Sequence, residues 1–224
     1  MTAGIAHEVG TPLNIISANV EFLIRADPKL QNNEEIAAIR EQTSSLTTLV
    51  KRLLNFSREH SPEFAPVNIN DLIEKTVGLL NHQLQNSGIK TKLSLAPYLP
   101  TVDGDGSQLQ QVLFNLITNA RQAMETSDNG ERNLQIITDT AFLPTETFSR
   151  PHIVITISYN GRGIPLDALP QVFNPFFTAN KEGGTSLGLA ISHRIVQRHL
   201  GLLTIENHLQ KGVKTTVRLP LSQN

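Results

Sequence analysis

The chain has 224 residues, enough for one or two domains with a real hydrophobic core, and 19 Lys+Arg against 20 Asp+Glu leave a formal net charge of -1. That balance removes any global electrostatic pull toward nucleic acid or an anionic membrane surface, and the absence of cysteine removes disulfides, thiolate metal sites and a cysteine nucleophile. No stretch approaches the roughly 18 consecutive apolar residues of a membrane span, and Met1-Thr2-Ala3-Gly4 lacks the order of a signal peptide, so a soluble chain is expected.

From Ile5, the residues Val9, Leu13, Ile16, Val20 and Leu23 recur at helical spacing and draw one apolar stripe that stops at Asp27-Pro28. Arg25 to Asn33 reads as a connecting loop, with Asn33 as N-cap of a second helix that runs to Arg58. There Ile36, Ile39, Leu46, Val50 and Leu53 share a face. Each helix would be about 25 residues and about 37 Å long, too long and too narrowly striped for a lone hairpin to bury. Two hairpins would make a four-helix bundle, so a homodimer is predicted.

Two prolines in Ser61-Pro62-Glu63-Phe64-Ala65-Pro66 mark a linker, dividing the chain into 1–60, 61–66 and 67–224. Beyond it, a helix is predicted from Asp71 to Gln85, capped by Asn70 or Asp71, followed by an alternating strand from Ile89 to Leu95. Gly104-Asp105-Gly106-Ser107 opens a helix to Met124. Strands follow at Leu134 to Thr138, Ile153 to Ser158, Leu202 to Asn207 and Lys214 to Leu219, with a helix at Leu187 to His199. The fold class is α+β: a helical hairpin, then an α/β sandwich with helices on one face of a mostly antiparallel sheet.

Four stretches carry chemistry. In Ala6-His7-Glu8-Val9-Gly10-Thr11-Pro12, His7 and Thr11 share a helix face with Glu8 beside the histidine, and Pro12 removes a helical hydrogen bond where bending would present a side chain. A neutral imidazole attacks phosphorus well, and a neighbouring carboxylate can hold its tautomer, although such a pair alone is more often a solvated face. Gln111, Asn115 and Asn119 form a polar line at i, i+4 and i+8. Amide oxygens suit Mg²⁺ and amide N–H groups suit phosphate, and asparagine in mid-helix needs a reason to be there. Asn160-Gly161-Arg162-Gly163 after a strand permits close backbone approach to a ligand, or simply a turn. Gly183-Gly184-Thr185-Ser186-Leu187-Gly188 opens a helix, whose free N–H groups suit phosphate. Between them, Phe173-Asn174-Pro175-Phe176-Phe177-Thr178 leads into a polar run that reads as a lid on an aromatic anchor.

In this order, the histidine, asparagine, first glycine, phenylalanine and second glycine stretches resemble the catalytic core of a two-component sensor histidine kinase. The resemblance implies a dimerisation and phosphotransfer domain followed by a Bergerat-type ATP-binding domain, with a response-regulator receiver domain as partner, and neither nucleic acid nor membrane contact. It assigns His7 as phosphoacceptor, Glu8 as general base and Thr11 as the residue orienting water in dephosphorylation of the regulator. Asn115 would bind Mg²⁺ and Asn119 the ATP phosphates; Thr178, Gly184, Thr185, Ser186, Leu187 and Gly188 would form the phosphate end, and Gly161 and Gly163 would shape the pocket. Tyr159 stands where the family carries an aspartate that accepts from adenine, and Gly212-Val213 stands where it carries Gly-Thr. The alternative is therefore a degenerate kinase with impaired ATP binding, acting as a regulator-binding module or phosphatase. Chaperone- and topoisomerase-like ATP hydrolysis is disfavoured, since Gln111 replaces their glutamate. The resemblance also implies a cytoplasmic piece of a longer protein, with the sensor and any membrane helices upstream.

Overall fold

The computed structural model describes residues 2–57, 63–127, 130–144, 149–177, 187–208 and 212–222, with backbone alone at 2–11, 32, 45, 48–57, 142–144 and 149–150. The chain divides into two compact units, Met1–Ser61 and Pro62–Asn224. Among the described residues, no helix is long and apolar enough to cross a membrane.

The first unit is a hairpin of α1 (Thr2–Ala26) and α2 (Glu34–Ser57), with Pro12 inside α1. The predicted loop is itself ordered as a 3-10 turn, Pro28–Asn32, because the Asp27 carboxylate accepts from the Lys29 N–H at 3.0 Å and proline opens the turn. Asn33 closes that turn and opens α2, its Oδ1 accepting from the Ile36 N–H at 2.9 Å. Leu13 and Val20 are buried, whereas Ile15, Ile16, Phe22, Leu23, Ile39 and Leu46 stay exposed. The hairpin leaves much of its apolar stripe uncovered.

In the second unit, β1 (Ala65–Val67) pairs antiparallel with β3 (Val102–Gly104). The predicted linker thus ends earlier than residue 66: Ala65 and Pro66 belong to a strand too short to show alternation. Next, α3 (Ile69–Asn86) is capped by Asn68, whose Oδ1 accepts from the amides of Asn70 at 3.0 Å and Asp71 at 3.3 Å. The expected cap at Asn70 or Asp71 is corrected, since the Asn70 amide instead bridges the Ala96 carbonyl and the Thr138 hydroxyl, each at 2.9 Å.

The main sheet contains β2 (Ile89–Ser94), β4 (Arg132–Pro144), β5 (Ser149–Tyr159), β6 (Leu202–Asn207) and β7 (Val213–Pro220), in the order β2-β4-β5-β7-β6. Among the described residues, β2–β4 is the one parallel pairing of this sheet. The hairpin β4–β5 extends well past the apolar segments that predicted it. Along β5, Ile153, Ile155 and Ile157 are buried while Val154, Thr156 and Ser158 are half-buried, so one face carries the core. Against that face pack α3 and α4 (Gly106–Glu125), with α5 (Gly188–Arg198) alongside α4. The buried stripe of α4, Leu109, Val112, Leu113, Leu116, Ile117, Ala120 and Met124, leaves its polar line on another side.

Candidate functional site

The α4–α5 seam is joined by a side chain singled out in the sequence. Asn115 Nδ2 donates to the Gly188 carbonyl at 3.2 Å and to Ser192 Oγ at 3.3 Å. Because the fully buried Ser192 hydroxyl already donates to that carbonyl at 2.8 Å, both partners accept, which fixes the amide nitrogen on this side. Among the described residues, Asn115 Oδ1 has no hydrogen-bond partner and keeps its lone pairs for another. One turn further along α4, Asn119 is half-buried; one turn earlier, Gln111 is exposed. Leu187, buried, precedes α5 and supplies no side-chain cap to its first turn.

At the end of the central strand β5, Tyr159 continues the row of Ile153, Ile155 and Ile157 and lies opposite Leu134 of β4 and Val213 of β7. Burial pushes its phenol far above the ordinary tyrosine value, so the group is a neutral O–H. Asn160 then pins the turn to β4: its Oδ1 accepts from the Asn133 N–H at 2.7 Å and its Nδ2 donates to the Glu131 carbonyl at 2.5 Å. A Cβ on Gly161 would stand 3.3 Å from the Ala123 carbonyl oxygen, so the turn rests against the last part of α4. A Cβ on Gly163 would stand 3.0 Å from Asn207 Oδ1.

Asn207, at the end of β6, is a residue that sequence reasoning missed. Its Oδ1 accepts from the Ile164 N–H at 2.8 Å and its Nδ2 donates to the Ile164 carbonyl at 2.7 Å, gripping one residue of the glycine turn by both of its backbone groups. Nothing near Asn207 in the sequence signals this, because the partner lies far away along the chain. Gly212 is required for a different reason: its φ is 139°, and a Cβ there would fall 2.0 Å from the Tyr159 carbonyl oxygen. Phe173 stacks on His193 of α5, ring centroids 4.6 Å apart and planes 21° apart, which attaches the aromatic stretch to the same helix.

The structure therefore brings Asn115 to Gly188, Tyr159 to Gly212, and Gly163 to Asn207. Thr178, Gly184, Thr185 and Ser186 lie outside the described residues. His7, Glu8 and Thr11 lie within α1, in the part described as backbone alone. Among the described residues, no group of three or more His, Asp or Glu could hold a metal ion.

Comparison with known proteins places this geometry. The family model described as "Histidine kinase-, DNA gyrase B-, and HSP90-like ATPase" matches residues 104–223, and the "His Kinase A (phospho-acceptor) domain" model matches residues 1–62. The signal transduction histidine-protein kinase AtoS of Escherichia coli (strain K12) is 31% identical over 99% of this chain, which spans 34% of that protein, about a third of its length. The crystal structure of the histidine kinase ThkA in complex with the response regulator TrrA aligns at 28% identity with a TM-score of 0.68, over 99% of this chain and 61% of that one. Full-length ShkA in complex with AMPPNP, at 23% identity, shares the fold with a TM-score of 0.77 over 100% of this chain and 46% of that one. With the ATPase model covering more than half of its length and the phospho-acceptor model its first 62 residues, the chain belongs to the histidine kinase-, DNA gyrase B- and HSP90-like ATPase family, as the catalytic core of a two-component histidine kinase.

Proposed function

We propose that the chain moves the γ-phosphoryl group of ATP to His7 and then to an aspartate on a response-regulator receiver domain, working as a homodimer through its first unit. In the first step the bond between the γ-phosphorus and the bridging oxygen breaks, a bond to an imidazole nitrogen of His7 forms, and ADP leaves. Glu8 takes up the imidazole proton, and Thr11 orients water when the phosphorylated regulator is hydrolysed instead. The uncovered apolar stripe of α1 and α2 supports dimerisation, since two hairpins can bury it where one cannot.

The observation that carries this reading is the orientation of Asn115. Its nitrogen is spent on Gly188 and Ser192, which leaves a neutral, hard amide oxygen of the kind that Mg²⁺ or its water accepts. That donor chemistry fits the cation: Asn115 would hold it, with the remaining ligands supplied by nucleotide and water. Once bound, Mg²⁺ would neutralise phosphate charge as the phosphoryl group is transferred. The first turn of α5, which takes no side-chain cap from Leu187, offers backbone N–H groups to the phosphates, and Asn119 adds an amide. Gly161 and Gly163, held by Ala123 and Asn207, border the base end beside Tyr159.

The test is incubation of the full chain with Mg-ATP labelled at the γ-phosphate, followed by acid and alkali treatment. Acid-labile, alkali-stable label is expected, lost in His7→Gln and in Asn115→Ala. Label surviving in His7→Gln would overturn the phosphoacceptor assignment. Calorimetric titration with Mg-ADP, run beside Tyr159→Asp, addresses the base end. Binding by the substituted chain alone would transfer the function to the helical unit, as a regulator-binding module or phosphatase.

A further inference from the structure

The residues that follow the boundary between the two units do not run free. Phe64 sets its ring edge-on against His199, centroids 5.0 Å apart with planes at 64°. The backbone of Glu63 hydrogen-bonds the Asp105 carboxylate, the same group that caps α4 through the amides of Ser107 at 2.9 Å and Gln108 at 3.1 Å. Immediately afterwards, Ala65 pairs with Gly104. His199 lies at the centre. It is buried at the end of α5, its Nδ1 hydrogen-bonded to the Ile195 carbonyl at 2.8 Å and its Nε2 accepting from the Asp105 N–H at 3.0 Å. With a carbonyl on one side and an N–H on the other, the ring must be neutral and protonated at Nδ1. A Cβ on Gly104 would stand 2.8 Å from its Cδ2, so the corner admits nothing larger than glycine.

This corner ties the end of α5 to the start of α4. About 15 Å further along, at the middle of α4, Asn115 ties that helix to the start of α5, so α5 is held against α4 at both of its ends. The spacing of the helices at Asn115 therefore depends on how they are held at His199, and Phe64 rests on that clamp. We propose that His199 is a positioning residue for the nucleotide site, through which the seating of Glu63 and Phe64 sets the α4–α5 spacing at Asn115 and hence nucleotide affinity. The part concerning affinity rests on the reading of the α4–α5 seam as that site; the mechanical part does not.

The test uses the full chain in three variants. Phe64 is half exposed, so Phe64→Ala removes the ring without hollowing the core. His199→Asn keeps a donor for the Ile195 carbonyl and loses the acceptor for Asp105, whereas His199→Gln reaches far enough to restore that acceptor. Hydrogen–deuterium exchange without nucleotide is followed at the amides of 191–195, one to two turns of α5 before His199. Exchange there should rise in Phe64→Ala and in His199→Asn, and Kd for a fluorescent ATP analogue should rise by roughly twofold to tenfold, the range that an edge-to-face ring contact carries. His199→Gln restores the acceptor for Asp105 but not the ring under Phe64, so it should improve on His199→Asn in both readouts and stop at the level of Phe64→Ala. Faster exchange confined to 63–67 and 102–105, with Kd unchanged, would overturn the positioning role, as would a His199→Gln variant no better than His199→Asn. If no variant nor the unsubstituted chain binds nucleotide while the exchange pattern holds, the mechanical coupling stands and the nucleotide reading of the seam fails.

Discussion

Asn207→Ala isolates the two-sided grip on Ile164. Removing the side chain leaves a half-buried N–H and a half-buried carbonyl without the partners they hold at 2.8 Å and 2.7 Å. A hydrogen bond contributes about 1 kcal/mol net, so the pair is worth about 2 kcal/mol. In a unit the size of Pro62–Asn224, each kcal/mol moves the melting temperature by about 2–4 °C, so differential scanning calorimetry should show that unit melting about 4–8 °C lower. Asn207→Asp sharpens the argument, because it keeps an acceptor for the Ile164 N–H but aims a second oxygen at the Ile164 carbonyl. That carboxyl can donate only when protonated, so its pKa is raised in the folded state. Its stabilising effect is full below the unfolded carboxylate value and lost as pH rises through the folded one. At neutral pH Asn207→Asp should melt no higher than Asn207→Ala, and on acidification it should overtake it. An alanine variant melting within about 1 °C of the unsubstituted chain, or the two variants tracking each other at every pH, would refute the grip.

Leu200 holds a left-handed φ of 56° in the turn after α5, so Leu200→Gly should raise the melting temperature by relieving about 1 kcal/mol of strain, measured by the same calorimetry. Gly201→Ala should do the opposite and cost at least about 2 kcal/mol in urea titration, because the added Cβ would fall 2.3 Å from the Arg218 carbonyl oxygen. At the Asp105 cap, burial pushes the carboxyl up, but hydrogen bonds from the Ser107 hydroxyl and the amides of Gln108, Ser107 and Glu63 outweigh it and hold the pKa low. The cap's stability is thus present above the unfolded value near 3.9 and lost as pH falls through the lower folded one. The gap of about 1 kcal/mol between the unsubstituted chain and Asp105→Ala should close below about pH 4, as read by urea midpoints.

Long periodic segments were legible because burial imposes its period on them. The stripe of α1, the buried row of α4 and the apolar alternation of β5 all follow from one face meeting a core. Three-residue strands offer no period, which hid β1 and β3. The cap of α3 was ambiguous because Asn68, Asn70 and Asp71 can all accept from a first-turn amide, and only the engagement of Asn70 with Ala96 and Thr138 resolves it. At the candidate site, the rarity of asparagine in mid-helix marked Asn115 as purposeful, but one purpose was invisible: half of its amide binds α5. Asn207 was illegible for the same reason as the seat of Phe64 on His199. Each is a contact between residues whose neighbours in the chain carry no trace of the partner.

The register Tyr159 to Val213 means that β5 and β7 run side by side and zip the sheet shut at its centre. Everything from Asn160 to Gly212, including the glycine turn, the aromatic stretch, α5 and β6, is one excursion whose two ends are stitched together by that pairing. Closing a flexible loop costs only about 0.6 kcal/mol for each doubling of its length. A change of length within that excursion is therefore a small one for the pairing of β5 with β7, provided it spares the stitches at Tyr159, Asn207 and Gly212 and the buried anchors Ala168, Val172 and Leu187.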